Sequence, residues 1–511
     1  MRPKPGRDPA LLSAVQPVTP GSRETTLRTE MVQHMVMIRP SAGNTLTLRV
    51  SLQRVPGTLG KLTSALGAAG ALLDTIDIIE NTGEVIVRQI QVETRGEAHG
   101  LEVVEAAKSV PGVELLSVSD RVFDRHRGGK IEVTAKFRVL TRDDLSMAYT
   151  PGVGRVCTEI AEQPELVWDY TIKSNSVAVL TDGTAILGLG NLGPEAAMPV
   201  MEGKAMLFKQ LAGVDAYPIC VRTSGVEELV AVGKAIAPGF GGINLEDVAA
   251  PVCFEVERRL QEELDIPVFH DDQHGTAIVS LAALYGAAEV VGKRLEDLNV
   301  VFLGMGAAGV ACLKLWQHAG VGHFIGVDRK GIVHPDRTDL NDQKRSIAEN
   351  SNPEGRRGGL EDALVGADVL VGVSGPDLVK PEWVATMAKD AIVFAMANPI
   401  PEISPELMPD NVAVVATGRS DYANQINNVL VFPGLFRGLL DCRARSVDMS
   451  MKVAAARALA DIVAEDGVSA DFIVPSIFDA RVVPAVAKAV KEAAASAGLG
   501  STAPTAKTAL I

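Results

Sequence analysis

The chain predicts an α/β fold in three successive folded units, and three observations carry that reading. Near the N-terminus, apolar periodicity gives the order β-α-β-β-α-β. Further on, the apolar run Ile266 to Phe269 stops just before the pair Asp271-Asp272. Acidic residues at a strand's carboxyl end are where an open parallel sheet places its ligands. A third stretch, Leu298 to Gly309, runs as strand, glycine turn and helix start. The 511 residues suffice for two or three full cores, and 47% hydrophobic content predicts that most of the chain folds.

Composition narrows the function. A formal net charge of −14 argues against nucleic acid as a main partner. No apolar run reaches the length of a membrane span. Met1 to Ser22 carries Pro, Gly and Arg but no apolar core, which reads as a disordered tail and not a secretory signal. Organelle import is the alternative for that tail. Cys157, Cys220, Cys253, Cys312 and Cys442 form no Cys-x-x-Cys, the expectation for buried thiols in a reducing cytoplasm. The expected division is a tail over 1–43, units over 44–125, 126–275 and 276–497, and a flexible tail over 498–511.

In the first unit, Thr45 to Val50 alternates as a strand, and Pro56-Gly57-Thr58-Leu59 opens a helix through Leu62 and Leu66. Strands over Ile76 to Glu80 and Val85 to Val92, a helix over Gly100 to Ser109 and a strand over Val113 to Val118 complete the ferredoxin-like plan. The unit resembles an ACT domain, a small regulatory module. That resemblance implies Gly57, Thr58 and Leu59 as a loop for a small-molecule effector. A module used only for dimer contacts is the alternative, because the loop has no charged anchor.

The second unit begins at the joint Gly128-Gly129-Lys130. Tyr149 precedes Pro151-Gly152, a rigid place for a side chain that must be aimed, though a tyrosine there can equally be packing. Ser176 to Leu187 reads as two strands around Thr181-Asp182-Gly183. Gly188-Leu189-Gly190-Asn191-Leu192-Gly193 matches Gly-x-Gly-x-x-Gly but lacks an acidic ribose partner, so it reads as a tight loop near the substrate. Pro194 follows as a first helical residue. Lys204 lies in the apolar helix Ala196 to Leu211. Facing inward, its ammonium would lose water and its pKa would fall towards neutrality; facing outward, it would be an ordinary surface lysine.

The stretch His270-Asp271-Asp272-Gln273-His274-Gly275 is the centre of this unit, with a helix expected from Gly275. A second acidic pair, Glu246-Asp247, lies upstream. Four carboxylates converging on one point need a cation, and oxygen donors favour Mg²⁺ or Mn²⁺. His270 and His274 would be the zinc alternative, but there is no His-Glu-x-x-His and no cysteine pair. In the bland alternative, Asp271 and Asp272 only cap the next helix.

In the third unit, the turn Gly304-Met305-Gly306-Ala307-Ala308-Gly309 sits between a strand and a helix, and the strand His323 to Val327 ends in Asp328. Strand, glycine turn, helix and acid together predict a Rossmann-type dinucleotide site. Asp328 favours NAD, since a carboxylate repels a 2′-phosphate; Arg329 and Lys330 are the candidates for holding NADP. Strands are expected over Ala367 to Val373 and Ala391 to Met396, the latter ending at Asn398. In the stretch Asn424 to Gly434, two neutral donors, Asn427 and Asn428, lie beside an apolar run read as a strand, where amides could grip a carboxylate or the nicotinamide. Alanine-rich amphipathic helix follows from Met449.

From Lys130 to Ala495 the chain resembles the malic enzymes, particularly the bacterial form with a fused ACT domain. The motifs are Ser146-Met147-Ala148-Tyr149-Thr150-Pro151-Gly152-Val153, the Gly188 to Pro194 loop, Glu202-Gly203-Lys204, Asn244-Leu245-Glu246-Asp247, His270 to Thr276 and Asn427-Asn428-Val429. The resemblance implies oxidative decarboxylation of (S)-malate to pyruvate and CO₂ with reduction of NAD(P), in a homo-oligomer, dimer or tetramer. It implies Glu246, Asp247 and Asp272 on Mn²⁺ or Mg²⁺, and Lys204 as general base with Asp271 tuning it. Tyr149 would be the acid, and Asn398, Asn427 and Asn428 would bind substrate, Asn398 also flanking the cofactor. One departure stands out. Animal malic enzymes carry a substrate-binding arginine before the glycine loop, where this chain has Thr184-Ala185-Ile186. A malolactic enzyme, which retains NAD and releases lactate, is the closest alternative activity.

Overall fold

The computed structural model describes residues 40–187, 189–223 and 225–500. Most of the expected N-terminal tail, residues 501–511 and Gly188 of the glycine loop lie outside the described residues. The chain forms two compact units, dividing after Arg127.

The first unit is built as β1 (Ser41–Gln53), α1 (Thr58–Ala68), β2 (Leu72–Asn81), β3 (Val85–Thr94), α2 (Glu97–Lys108) and β4 (Val113–Asp120). The sheet order is β2-β3-β1-β4, with every neighbouring pair antiparallel. This is the expected ferredoxin-like plan. Leu48, Val50, Leu52, Ile90 and Val92 alternate onto one face and bury against Leu62, Leu66, Val103 and Ala107 of the helices. Gly57 takes a left-handed φ of 91° directly before α1, a conformation that glycine adopts without a Cβ penalty.

In the second unit, two short helices come first, α3 (Arg142–Ala148) and α4 (Gly152–Glu162), and neither buries a residue. Then follow β5 (Ser176–Thr181), α5 (Pro194–Ala212), β6 (Asp215–Cys220), α6 (Val226–Ile236), β7 (Gly242–Leu245), α7 (Val252–Glu263) and β8 (Val268–His270). These four strands make a parallel sheet in the order β6-β5-β7-β8. The long helix α8 (Asp271–Val291) leads to the last sheet, formed by β9 (Asn299–Leu303), β10 (His323–Asp328), β11 (Gly331–Ile332), β12 (Val369–Gly372), β13 (Ala391–Ala395) and β14 (Val412–Thr417). Helix α9 (Ala307–His318) follows β9. The order is β11-β10-β9-β12-β13-β14, parallel except for β11. Numbered within this sheet, the order is 3-2-1-4-5-6, that of a Rossmann fold. Among the described residues three further helices come last: α10 (Phe432–Asp441), α11 (Met449–Asp466) and α12 (Val482–Ser496).

Helix α8 is long and apolar enough to cross a membrane by length and composition, which corrects the expectation that no such segment exists; most of it is buried in the protein core. It also starts earlier than Gly275. Asp271 and Asp272 form its first turn, where carboxylates complement the helix dipole. Two expected strands are absent. After Thr181 the Asp182 carboxylate closes a turn on Thr184 N (3.1 Å) and Oγ1 (2.6 Å), leaving only the single bridge Ile186 to Gly190. The apolar run after Asn427 is a 3₁₀ turn over Asn428–Leu430 leading into α10. Asn427 starts it by accepting from Val429 N, and Pro433 stands in the first turn of α10.

Candidate active site

The carboxyl ends of β7 and β8 are neighbours in one sheet, so both acidic pairs reach the same place. Glu246 and Asp247 follow β7, and Asp271 and Asp272 follow β8. Glu246, Asp247 and Asp271 are buried. Asp272 accepts from the Asp247 backbone N–H at 2.8 Å, linking the two pairs. Lys204 enters from α5 and is buried too. Its Nζ lies 2.9 Å from Glu246 Oε1, pairs closely with Asp271 Oδ2, and sits 4.1 Å from the centre of the Phe432 ring. Asn428 donates its amide to the same Asp271 oxygen. Gly275 leaves room for that carboxylate, since a Cβ there would stand 2.0 Å from Asp271 Oδ1.

Four carboxylates and one ammonium leave net negative charge in a dry place. Burial, with Asp272 and Glu246 alongside, pushes Asp247 up to about 8. Burial likewise raises Glu246 and Asp271, though Lys204 opposes it in both. Lys204 corrects an expectation. Burial alone would lower its pKa, but Asp271 and Glu246 more than offset that and hold the ammonium above its usual range. Asp247 Oδ2 and Asp271 Oδ1 are buried without a hydrogen-bond partner, an arrangement that costs free energy unless a cation or donor completes it.

Hard oxygen donors with unsatisfied charge fit a divalent cation. Among the described residues no three such side chains already stand in metal-holding geometry, and Lys204 bridges Glu246 and Asp271 instead. The zinc alternative finds no support. His274 Nε2 is engaged with Glu257 at 3.0 Å, and burial pushes His270 down to about 4, leaving it neutral.

The structure does not join Tyr149 to this cluster. The residue is 66% exposed, and its side chain makes no hydrogen bond among the described residues. Asn427 is used as the cap described above. Asn424 holds the backbone of Val415, Ala470 and Ile473. Asn398 is exposed beyond β13, beside Gly418. In the first unit, Thr58 turns its hydroxyl to Val55 O, and Gly57 is exposed with open space around it.

The second glycine turn is set by close packing. A Cβ on Gly304 would meet Val373 O at 2.6 Å, and one on Gly309 would meet Gly304 O at 1.8 Å. Nothing stands within 4 Å of a Cβ on Gly306, so that stretch of backbone is open to a pyrophosphate at the start of α9. Met305 is buried between Gly304 and Gly306, and Ala307 and Ala308 open the helix. Asp328 ends β10 as expected, and two cations distant in sequence hold it. Arg337 grips it at 2.8 and 3.1 Å, and Lys344 at 2.6 Å. Arg329 is exposed, and Lys330 Nζ turns to Asp339 at 3.0 Å.

Fold and site together define a dinucleotide-dependent enzyme with a buried lysine–carboxylate centre. Residues 128–225 match the family described as malic enzyme, N-terminal domain, and residues 273–495 match malic enzyme, NAD binding domain. An NAD-dependent malic enzyme of Geobacillus stearothermophilus is 54% identical over 458 residues, covering 90% of this chain and 96% of that protein. A bifunctional malic/malolactic enzyme of Bacillus subtilis is 53% identical over 373 residues, covering 73% and 91%. Among solved structures, malic enzyme from Pyrococcus horikoshii superposes with a TM-score of 0.72 at 46% identity, covering 75% of this chain and 92% of that one. The NAD-dependent malic enzyme of Thermotoga maritima gives 0.71 at 45%, covering 73% and 99%. The chain belongs to the malic enzyme family.

Proposed function

We propose that the chain oxidises (S)-malate at C2 with NAD and releases pyruvate and CO₂. The observation that carries this is the buried Lys204–Asp271–Glu246 centre on the same unit as the Rossmann glycine turn. Residues 126–275 supply substrate and metal groups, and 276–497 the dinucleotide site. Glu246, Asp247 and Asp272 would hold Mn²⁺ or Mg²⁺. When bound, such an ion supplies a Lewis acid that draws electron density from the C2 oxygen. With Glu246 engaged as a ligand, Lys204 keeps Asp271 as its ion-pair partner. Lys204 acts as base in its neutral form, its ammonium proton having passed to Asp271, and takes the C2 hydroxyl proton while hydride passes from C2 to the nicotinamide. The C3–C4 bond of the resulting keto acid then breaks to give CO₂ and enolpyruvate. Tyr149 protonates C3. Asn398, Asn427 and Asn428 are the neutral donors for the substrate carboxylates, in place of the missing arginine. Asp328 orients the adenosine ribose.

Tyr149 fits this role only if something covers the α3–α4 strap. Phe137, Leu140, Met147 and Tyr149 are exposed there, and Leu187, Leu189 and Leu192 are exposed on the glycine loop beside Asp247. A second copy of the chain would cover both surfaces and bring its Tyr149 to the Lys204 centre. The first unit reads as an ACT-like regulatory module with an effector loop at Gly57, Thr58 and Leu59. A thermal-shift screen of amino acids, nucleotides and acyl-CoA esters checks this, with no shift by any of them leaving a purely structural role. Five unpaired thiols suit a reducing compartment such as the cytoplasm.

The test is direct. Purified protein is given (S)-malate and Mn²⁺ with NAD or NADP, with and without a chelator. Free NADH and pyruvate should each match the malate consumed, and the chelator should abolish both. Lactate without free NADH would favour the malolactic reading instead.

A further inference from the structure

Glu257 has no place in the chemistry above, yet it is one of the most buried acids in the chain. It lies on α7 with 6% exposure and faces the first turn of α8. Its Oε1 accepts from the His270 backbone N–H at 3.0 Å and from Gln261 Nε2 at 3.2 Å. Its Oε2 accepts from Gln273 Nε2 at 3.2 Å and lies 3.0 Å from His274 Nε2. Lys452 of α11, itself buried, adds an opposing charge. Within the His270–His274 turn, three of five residues are therefore tied to one carboxylate. The two that are not are Asp271, directed to Lys204 and Asn428, and Asp272, directed to the Asp247 N–H. Successive residues of a helical turn point in different directions, so fixing three of them fixes the other two.

We propose that Glu257 is the positioning residue of this turn: it sets the rotation of α8 so that Asp271 faces Lys204 and Asp272 faces the Glu246–Asp247 pair. The proposal rests on reading Glu246, Asp247 and Asp272 as the metal site. A buried ion pair that merely fastens α7 to α11 would also make Glu257 valuable, but it would affect stability and leave metal affinity alone. Groups that orient metal ligands typically change affinity about 10- to 100-fold when removed.

The experiment uses the full chain with Mn²⁺ alone as probe, followed by electron paramagnetic resonance. Asp272→Asn serves as reference and should lose Mn²⁺ binding. Glu257→Gln should raise the Mn²⁺ Kd about tenfold, with NAD affinity unchanged and kcat reduced more than KM for malate is raised. His274→Phe keeps the ring beside Phe269 and cuts one tether; it should raise the Kd about threefold, and it carries the test if Glu257→Gln does not fold. An unchanged Kd in the folded Glu257 variant, or in His274→Phe where that variant stands in for it, overturns the positioning role while the metal site stands. Mn²⁺ binding that Asp272→Asn leaves intact overturns the metal-site reading, and the proposal with it.

Discussion

Two sheets of the second unit each end parallel strands in acid, in opposite electrostatic surroundings. At β7 and β8, four carboxylates share one ammonium, and two of their buried oxygens have no partner. At β10, one carboxylate is held by two cations and by the Lys330 N–H at 2.9 Å. Burial and mutual repulsion raise the pKa of the first group. Burial pushes Asp328 up as well, but Arg337 and Lys344 outweigh it and hold that carboxyl below its usual range. The difference separates two tasks. A site short of positive charge is prepared to take a cation and move a proton, whereas a charge-balanced carboxylate is prepared only to hold an orientation.

The comparison would break first at Tyr149 and Lys204. Tyr149→Phe and Lys204→Ala should each abolish turnover. If the tyrosine comes from a second copy, mixing and reassembling the two inactive proteins should restore about a quarter of wild-type activity, because half of the dimers are mixed and each holds one intact site. No recovery after verified subunit exchange would place both residues in one chain's site.

A smaller effect sharpens the other end. Asp328→Asn removes the carboxylate that Arg337 and Lys344 hold and leaves both cations beside the ribose position. The preference for NAD over NADP should fall about tenfold, or ~1.4 kcal/mol. Steady-state kinetics with both cofactors measure it, and an unchanged ratio would mean that Asp328 does not read the 2′ position.

How far this contrast was visible in the sequence depends on range. The glycine turn, Asp328, the two acidic pairs and the first unit's element order are local patterns, and each was legible. Arg337, Lys344, Glu257 and Lys452 were not, because a surface-like charged residue gives no local sign of the carboxylate it will meet. Asn428 was legible as a polar group near the site, but its contact with Asp271, 157 residues away in sequence, is a product of tertiary packing. The direction of the Lys204 pKa was missed for the same reason: the sequence indicated burial but not the two carboxylates that reverse its effect. The strand misread at Val429 to Phe432 arose because a short apolar run has no period of its own.

A separate effect, on stability and not on turnover, concerns Lys452, which burial pushes down to about 8 against the pull of Glu257 and Asp448. An unfolded lysine titrates near 10.4, so between these values the unfolded chain binds more protons and stability rises with pH. Well below pH 8 the cost is constant. Lys452→Met removes this dependence, so the difference in unfolding free energy between wild type and variant should change by ~2 kcal/mol between pH 8 and pH 10. Denaturant titrations at the two pH values read it, and a constant difference would mean that Lys452 is not neutralised on folding.

The most direct test of the central claim, that chemistry and dinucleotide binding are separate electrostatic sites, is NAD affinity and turnover measured side by side in Lys204→Ala. The account predicts turnover down by about 10³-fold or more with the NAD Kd unchanged. Substantial residual turnover, or NAD binding lost together with activity, would contradict it.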